Sequence, residues 1–166
     1  MTIRFSARLF ALAIVTFAAM SLSAFNPVRS AAADISGDGI VKVKSVYAFD
    51  DTITRLKADI EKKGIMFFMA VDQSKLGADA GIKLRPSTLL IFGNPPLGIQ
   101  FLTSNPISGL DWPVRLLVTE DEKGQVWANY TDFGWIARRH GITDRDAAFK
   151  LASEVIASIT SSVTSK

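Results

Sequence analysis

Residues 84–113 constrain the fold of this chain most, because they combine an apolar strand with a helix start that two prolines fix. Residues 88–92 form a short apolar run bounded by proline and glycine, which is typical of a strand buried on both faces. Asn94 is a favoured N-cap residue, and Pro95 and Pro96 suit the first helical turn, where a missing N–H costs little. We therefore predict a buried strand that leads into a buried helix, a place suited to a ligand or an interface.

The same two prolines argue against a phosphate site at this corner. Pro95 and Pro96 remove two of the backbone N–H groups that would hold an anion at a helix N-terminus. The sequence contains no Gly-x-Ser-x-Gly nucleophile elbow and no Gly-rich loop that ends in Gly-Lys-Ser/Thr. The common hydrolase and nucleotide-binding signatures are therefore absent from the sequence.

Residues 1–33 have the features of a signal peptide. Arg4 and Arg8 give a positive start, residues 9–20 are apolar, and three alanines end at Ala33. The apolar run is short for a membrane span, which needs about 20 residues, although a retained anchor is the alternative. We predict cleavage near Ala33, a periplasmic or secreted protein, and no stable membrane span after cleavage.

Removal of that segment changes the charge of the chain. The net charge of +3 comes from 19 Lys and Arg against 16 Asp and Glu, and three of the arginines lie in residues 1–33, which hold no acid. The remainder is neutral, which gives no support for nucleic-acid binding. There are no cysteines, which excludes disulfides, thiol catalysis and Cys-based zinc sites.

The pattern of apolar residues predicts one α+β domain, with a mainly antiparallel sheet of about five strands and helices packed on one side. Residues 34–39 are a mobile lead-in, residues 40–160 form the domain, and residues 161–166 are a frayed tail. The first predicted elements are a strand over 40–47, a helix capped by Asp50 or Asp51, a buried strand over 65–71 and a short helix to 80. The strand and helix described above follow, and then a hairpin over 114–130. The chain continues with a short helix capped by Asp132 and closed by Gly141, and with a last helix that has a capping box at 143–146.

His140 is the only histidine, and it follows two arginines at a predicted helix C-terminus. Positive side chains are favoured there by the helix dipole, which explains the residue without any chemistry. The functional alternatives are a general base paired with Asp72 or Asp111, as in a hydrolase-like enzyme, and an axial haem ligand. One histidine without cysteine argues against catalytic zinc.

A small set of polar and aromatic residues lies beside apolar segments. Asp72 and Asp111 each border such a segment, and an Asx-type turn is the structural explanation for both. Trp112, Trp127 and Tyr130 belong to an aromatic-rich stretch, in which core packing is the simpler role.

A set of motifs is spread over the chain from about position 41 to 159: Asp72, Leu84-Arg85-Pro86, Leu90-Ile91-Phe92-Gly93-Asn94-Pro95, Asn105-Pro106, Leu110-Asp111-Trp112-Pro113, Val126-Trp127, Tyr130 and Arg139-His140-Gly141. In these motifs the chain resembles the domain-of-unknown-function 302 family. The resemblance implies a curved antiparallel sheet similar to TATA-binding-protein-like domains, often a homodimer, with no established activity. The family pattern usually has His where this chain has Gln73. An amide can hydrogen-bond a ligand but cannot shuttle protons near neutral pH.

The sequence therefore predicts a non-catalytic, exported domain that is a possible homodimer and needs no cofactor. We expect it to bind a small apolar or amphipathic ligand, or a partner segment, near seven residues: Asp72, Gln73, Asn94, Asp111, Trp112, Tyr130 and His140.

Overall fold

The computed structural model describes residues 34–35 and 37–165, so the predicted signal peptide lies outside the described residues. Within that part, six strands form a sheet in the order β1-β2-β6-β5-β4-β3, and every neighbouring pair is antiparallel. The strands are β1 (Asp34–Ile35), β2 (Ile40–Lys44), β3 (Met66–Asp72), β4 (Ser87–Gly93), β5 (Val114–Glu120) and β6 (Val126–Thr131). Because β1 has only two residues, the sheet has five main strands, as predicted.

The helices connect the strands and bury one face of the sheet, which confirms the predicted α+β class. They are α1 (Phe49–Lys62), α2 (Gln73–Asp79), α3 (Pro95–Ser104), a short 3₁₀ helix (Pro106–Leu110), α4 (Phe133–Arg139) and α5 (Asp146–Ser161). Alternate residues of β2, β4, β5 and β6 face these helices, and together they form one core with Leu56, Ile60, Phe101, Phe149 and Ile156. Phe101 of α3 stacks on Phe149 of α5 with ring centroids 4.2 Å apart.

The other face of the sheet is half apolar. The strand register places Met69, Val71, Leu89, Ile91 and Leu117 together on it. All five are exposed or half-buried, and none belongs to the core. We call these five residues the outer apolar patch.

Both long apolar runs are less buried than predicted. In β4, the buried residues alternate from Thr88 through Leu90 to Phe92, so this strand buries one face rather than two. Strand β3 is at the edge of the sheet, and Met66, Phe68 and Met69 are exposed. A bulge between Phe67 and Met69 shifts the register there. The prediction of a buried β3 was wrong, because a continuous apolar run does not reveal the position of a strand in the sheet.

The predicted helix cap at Asp132 forms and Asp72 caps α2 in the same way, whereas Asn94 directly precedes α3 but its side chain makes no capping bond. Asp72 Oδ1 accepts a bond of 2.9 Å from the Lys75 N–H, and Asp132 Oδ1 accepts one of 2.7 Å from the Trp135 N–H. At α1, however, Ala48 is the N-cap residue. Asp50 and Asp51 lie in the first turn, where their charges interact favourably with the helix dipole. Helix α5 begins after Arg145 with no side-chain cap, so the predicted capping box does not form.

The chain end packs on the domain through residue 165, where we expect fraying. Val163 is fully buried, and its carbonyl accepts a bond of 3.0 Å from the Val46 N–H. The Tyr47 hydroxyl donates to the Ser165 carbonyl at 2.7 Å. The end of α5 therefore closes the core beside β2.

Candidate functional site

The seven predicted site residues do not form one site. Asp72 pairs with Thr88 near the start of β4, whereas Asn94 follows the end of that strand. Six residues of extended strand separate these positions by about 20 Å. Asp72 and Gln73 therefore lie far from the Asn94 end of the sheet.

Asp72 and Gln73 hold helix α2 against the sheet. Asp72 caps the helix, as described above, and Gln73 Oε1 accepts a bond of 2.7 Å from the Ser87 hydroxyl. The Ser74 hydroxyl accepts another from the Ser87 N–H at 2.7 Å. The Gln73 amide thus connects α2 to β4.

Tyr130 belongs to the core rather than to an open site. Its side chain lies on the helix-covered face of β6, and Trp127 lies on the opposite face. Burial raises the pKa of the Tyr130 hydroxyl, the charge of Asp132 adds to the increase, and hydrogen bonding with Thr160 opposes it. Tyr130 therefore stays neutral at physiological pH and acts as a packing residue.

Asp111 and His140 are brought into direct contact although 29 positions separate them. Asp111 Oδ2 lies 2.6 Å from His140 Nε2, and both side chains are about 95% buried, with exposures of 4% and 5%. The carboxylate also accepts from Arg115 Nη2 at 3.0 Å and from Arg139 Nη1 at 3.1 and 3.2 Å. We call these four residues the Asp111 cluster.

The Asp111 cluster connects three parts of the fold. Asp111 lies directly after the 3₁₀ helix, Arg115 is in β5, and the other two residues are at the end of α4. Asn105 Nδ2 adds a bond of 2.9 Å to the His140 carbonyl. The helix-end position predicted for His140 is observed, with a buried carboxylate as an additional partner.

The geometry of the cluster favours a structural role over catalysis or haem ligation. The histidine–carboxylate distance suits a general base, but the adjoining cavity, which Asp111 and Arg115 line, has a volume of only about 10 Å³. That is room for about one water molecule. Haem ligation through Nε2 requires that His140 break its bond to Asp111 and leave a buried position.

Trp112 points from the same turn into the helix layer. A Cβ atom at Gly98 would lie 1.8 Å from Trp112 Nε1, and one at Gly93 would lie 3.3 Å from the indole. The edge of the indole also meets Phe68, with centroids 6.4 Å apart at 82°. Two glycines thus make room for Trp112 between β4 and α3.

Beneath this position there is a small apolar cavity of about 40 Å³. Trp112, Phe92, Phe101, Val114 and Ile156 are among its lining residues. It is large enough for a terminal methyl group or one water, but not for a whole ligand. We call it the apolar cavity.

A larger groove of about 400 Å³ opens beside the cavity. The ends of α1 and α3 and one side of α5 form this helix groove, which is lined by Lys63, Ile65, Asn94, Leu97, Leu151, Glu154, Val155 and Ser158. Four of these residues, Ile65, Asn94, Leu97 and Val155, also line the apolar cavity. Groove and cavity are therefore neighbours, and their shared walls are mainly apolar.

Asn94 is the predicted site residue at the mouth of the helix groove. It is the N-cap residue of α3 by position, but its side chain makes no capping bond and is exposed. Sequence reasoning missed Leu151 and Glu154, which lie on the outer side of α5. Leu151 is 49% exposed although it follows the apolar spacing of the buried residues Ala148 and Ala152, so apolar periodicity alone does not reveal it.

Two other kinds of site find no support in the part of the chain that the structure describes. There, no group of three or more His, Asp or Glu residues is arranged to hold a metal ion. The same residues contain no helix that is both long and apolar enough to cross a bilayer.

Comparisons with known proteins agree on the family. The model of a family described as "Domain of unknown function DUF302" matches residues 41–163. The crystal structure of an uncharacterized conserved DUF302 protein from Bacillus stearothermophilus superposes with a TM-score of 0.69 at 15% identity, over 75% of this chain and 98% of that one. This likeness supports the fold.

Curated relatives carry the name of an ion channel. "Fluoride-specific ion channel FluC 1" of Brucella suis biovar 1 (strain 1330) and that of Brucella abortus biovar 1 (strain 9-941) are each 37% identical over 119 residues. The match covers 71% of this chain but only 47% and 44% of those proteins. The chain thus spans about half the length of the curated relatives it matches.

Proposed function

Since the chain belongs to the DUF302 family, a family described only as a domain of unknown function, we propose its function from its own geometry: it is a non-catalytic domain that binds a small amphipathic ligand in the helix groove. The observation that carries the proposal is the volume of the groove, about 400 Å³, which lies in the range of small-molecule sites. The apolar walls formed by Leu97, Leu151 and Val155 suit a hydrocarbon segment. The Asn94 side-chain amide makes no capping bond to α3, so it can bind a polar head group.

The proposal of binding without catalysis rests on the residues around the groove. Among the described residues that line it, Lys63 and Glu154 are the only titratable side chains, and no histidine that could activate the Ser158 hydroxyl lies in that lining. The Asp111–His140 pair is buried outside the groove. A ligand in the groove would therefore contact mainly apolar surface, together with a few polar side chains that form no catalytic set.

Binding of a fluorescent apolar probe, N-phenyl-1-naphthylamine, tests this proposal. Leu151→Lys should weaken binding about fivefold, because covering the exposed half of a leucine side chain is worth about 1 kcal/mol. Leu76→Lys is the matched control, since Leu76 is 58% exposed on α2, outside the groove lining. Equal affinities of the two variants, or no binding by the wild type, would contradict the proposal.

We further propose that two copies associate through the outer apolar patch. The patch is contiguous across β3, β4 and β5, and none of its five residues is part of the core. A two-fold interface that repeats the same patch on both copies would cover this surface.

We also propose export, on the basis of the amino-terminal sequence pattern. The mature chain would then begin at Asp34, the first residue of the short strand β1 that pairs with β2. Mass spectrometry of the protein isolated from its own cells checks this. A dominant species that retains residues 1–33 would contradict cleavage.

A second candidate function follows from the curated relatives, in which the matched segment is about half of a protein named as a fluoride channel. We propose that this chain acts as an accessory domain beside such a channel. Fluoride efflux from liposomes that contain a FluC channel, measured with and without the purified chain, tests the idea. An unrelated protein at the same concentration is the control, and equal efflux in all samples would contradict it.

A further inference from the structure

The two charged side chains that line the helix groove, Lys63 and Glu154, differ in how accessible they are to a ligand. Lys63 Nζ forms an ion pair with Asp59 one turn earlier in α1, so its charge is largely offset. Glu154 is 61% exposed, and Lys150 approaches it only to 4.0 Å with its ammonium group still in solvent. Among the residues that line the groove, the carboxylate of Glu154 is therefore the charge that a ligand can reach.

The helix termini at the groove strengthen this asymmetry. Helix α1 ends at Lys62, so the negative end of its dipole faces the groove that Lys63 and Ile65 line. The opposing terminus belongs to α3, whose positive end would attract an anion. However, Pro95 and Pro96 occupy its first two positions and lack N–H groups, so little is left there to hold one.

From these contacts we infer that the ligand of the helix groove is a cationic amphiphile, with an ammonium head group and a short alkyl tail; this rests on the proposed function. The head group donates hydrogen bonds to acceptors that line the groove, namely the Glu154 carboxylate, the Asn94 amide oxygen and the Ser158 hydroxyl. The tail lies along Leu97, Leu151 and Val155, towards the apolar cavity.

Three probes with the same eight-carbon tail separate the head-group charge from the apolar contact: octylammonium, octan-1-ol and octanoate. Calorimetric titration into the purified full chain should rank octylammonium tightest and octanoate weakest. We expect a preference of about two- to fivefold for octylammonium over the alcohol, the range for an exposed ion pair. Glu154→Gln should remove that preference and leave the affinity for the alcohol unchanged.

Glu122→Gln is the matched control, because Glu122 is an exposed acid that pairs with Arg85 and does not line the groove. This variant should keep the wild-type ranking. If all three probes bind equally, or octanoate binds best, the inference about the head group is overturned while the proposed function stands. If none of the probes binds at millimolar concentration, both are overturned.

Discussion

Trp112 occupies the space that any side chain at position 98 would need. A Cβ at Gly98 would lie 1.8 Å from the indole nitrogen, much closer than the van der Waals contact distance. The indole therefore packs directly on the backbone of α3 and forms one wall of the apolar cavity. This pair fixes the distance between the turn before β5 and the helix that borders the groove.

Gly98→Ala should displace Trp112 and lower the free energy of unfolding by about 1–3 kcal/mol, as overpacking of a core usually does. Urea unfolding followed by circular dichroism measures the loss, and tryptophan fluorescence reports the displacement. Gly109→Ala is the control, because the nearest atom to a Cβ there lies at 3.7 Å. Equal stability of the two variants would contradict the close packing.

Asp111→Ala should destabilise the domain by about 3–5 kcal/mol, because it leaves a buried histidine and two arginines without their carboxylate. Asp144→Ala is a control with an exposed carboxylate, and we expect less than about 1 kcal/mol. Urea denaturation measures both. A double-mutant cycle with His140→Ala should give a coupling energy of about 0.5–3 kcal/mol, and strict additivity would show that the contact carries no energy.

Met69→Lys should convert a dimer into a monomer if the outer apolar patch is the interface. Met69 is 53% exposed in the single chain, so a lysine fits there without disturbing the core, whereas burial of its charge between two copies is costly. Light scattering after gel filtration gives the mass. Leu76→Lys on α2 should leave the mass unchanged, and a dimer that survives Met69→Lys would place the interface elsewhere.

Trp127→Phe should raise the pKa of the Asp121 carboxyl towards its usual value of 3.8. The hydrogen bond from Trp127 Nε1, 2.9 Å long, is the main cause of the lowered pKa, and the backbone N–H of Gln125 is the next. Some depression should remain, because the backbone donors are unchanged. An NMR titration of Asp121 measures the pKa, with Trp135→Phe as the control.

The sign of the accompanying pH effect follows from the direction of the shift. A carboxyl whose pKa is lower in the folded state stabilises the fold above the pKa of the unfolded chain, and this contribution is lost as the pH falls through the folded value. The wild type should therefore lose this stabilisation below about pH 4, and Trp127→Phe should lose less over the same range. Identical titration curves would rule out a role of the indole N–H.

Local features of the fold could be predicted from the sequence because their causes are local. Asp72 and Asp132 cap their helices through bonds to backbone groups three residues away. Gly124 has a φ of 73° in the turn between β5 and β6, as its place in the predicted hairpin requires. By contrast, the edge position of β3 depends on the order of strands in the sheet, which apolar periodicity does not contain.

In the candidate site, too, the sequence predicts single residues but not the tertiary contacts between them. Asn94 and Trp112 were identified from their place beside apolar segments, and both line the apolar cavity. The contact between Asp111 and His140 joins residues 29 positions apart, and the helix groove is assembled from α1, α3 and α5. Only the tertiary arrangement brings these residues together, so the sequence could name some of them but not group them.

The two edges of the sheet have unequal consequences for self-assembly. One edge is bordered by the two-residue strand β1, whereas β3 forms the other edge with seven residues and an exposed bulge. Open-ended association by strand addition requires that one edge of each copy pair with the opposite edge of the next copy, so both edges must be long. A sheet with one long edge can join only to an identical edge, and that union is complete at two copies. Pairing through β3 alone would therefore yield a closed two-fold dimer rather than an open chain of copies.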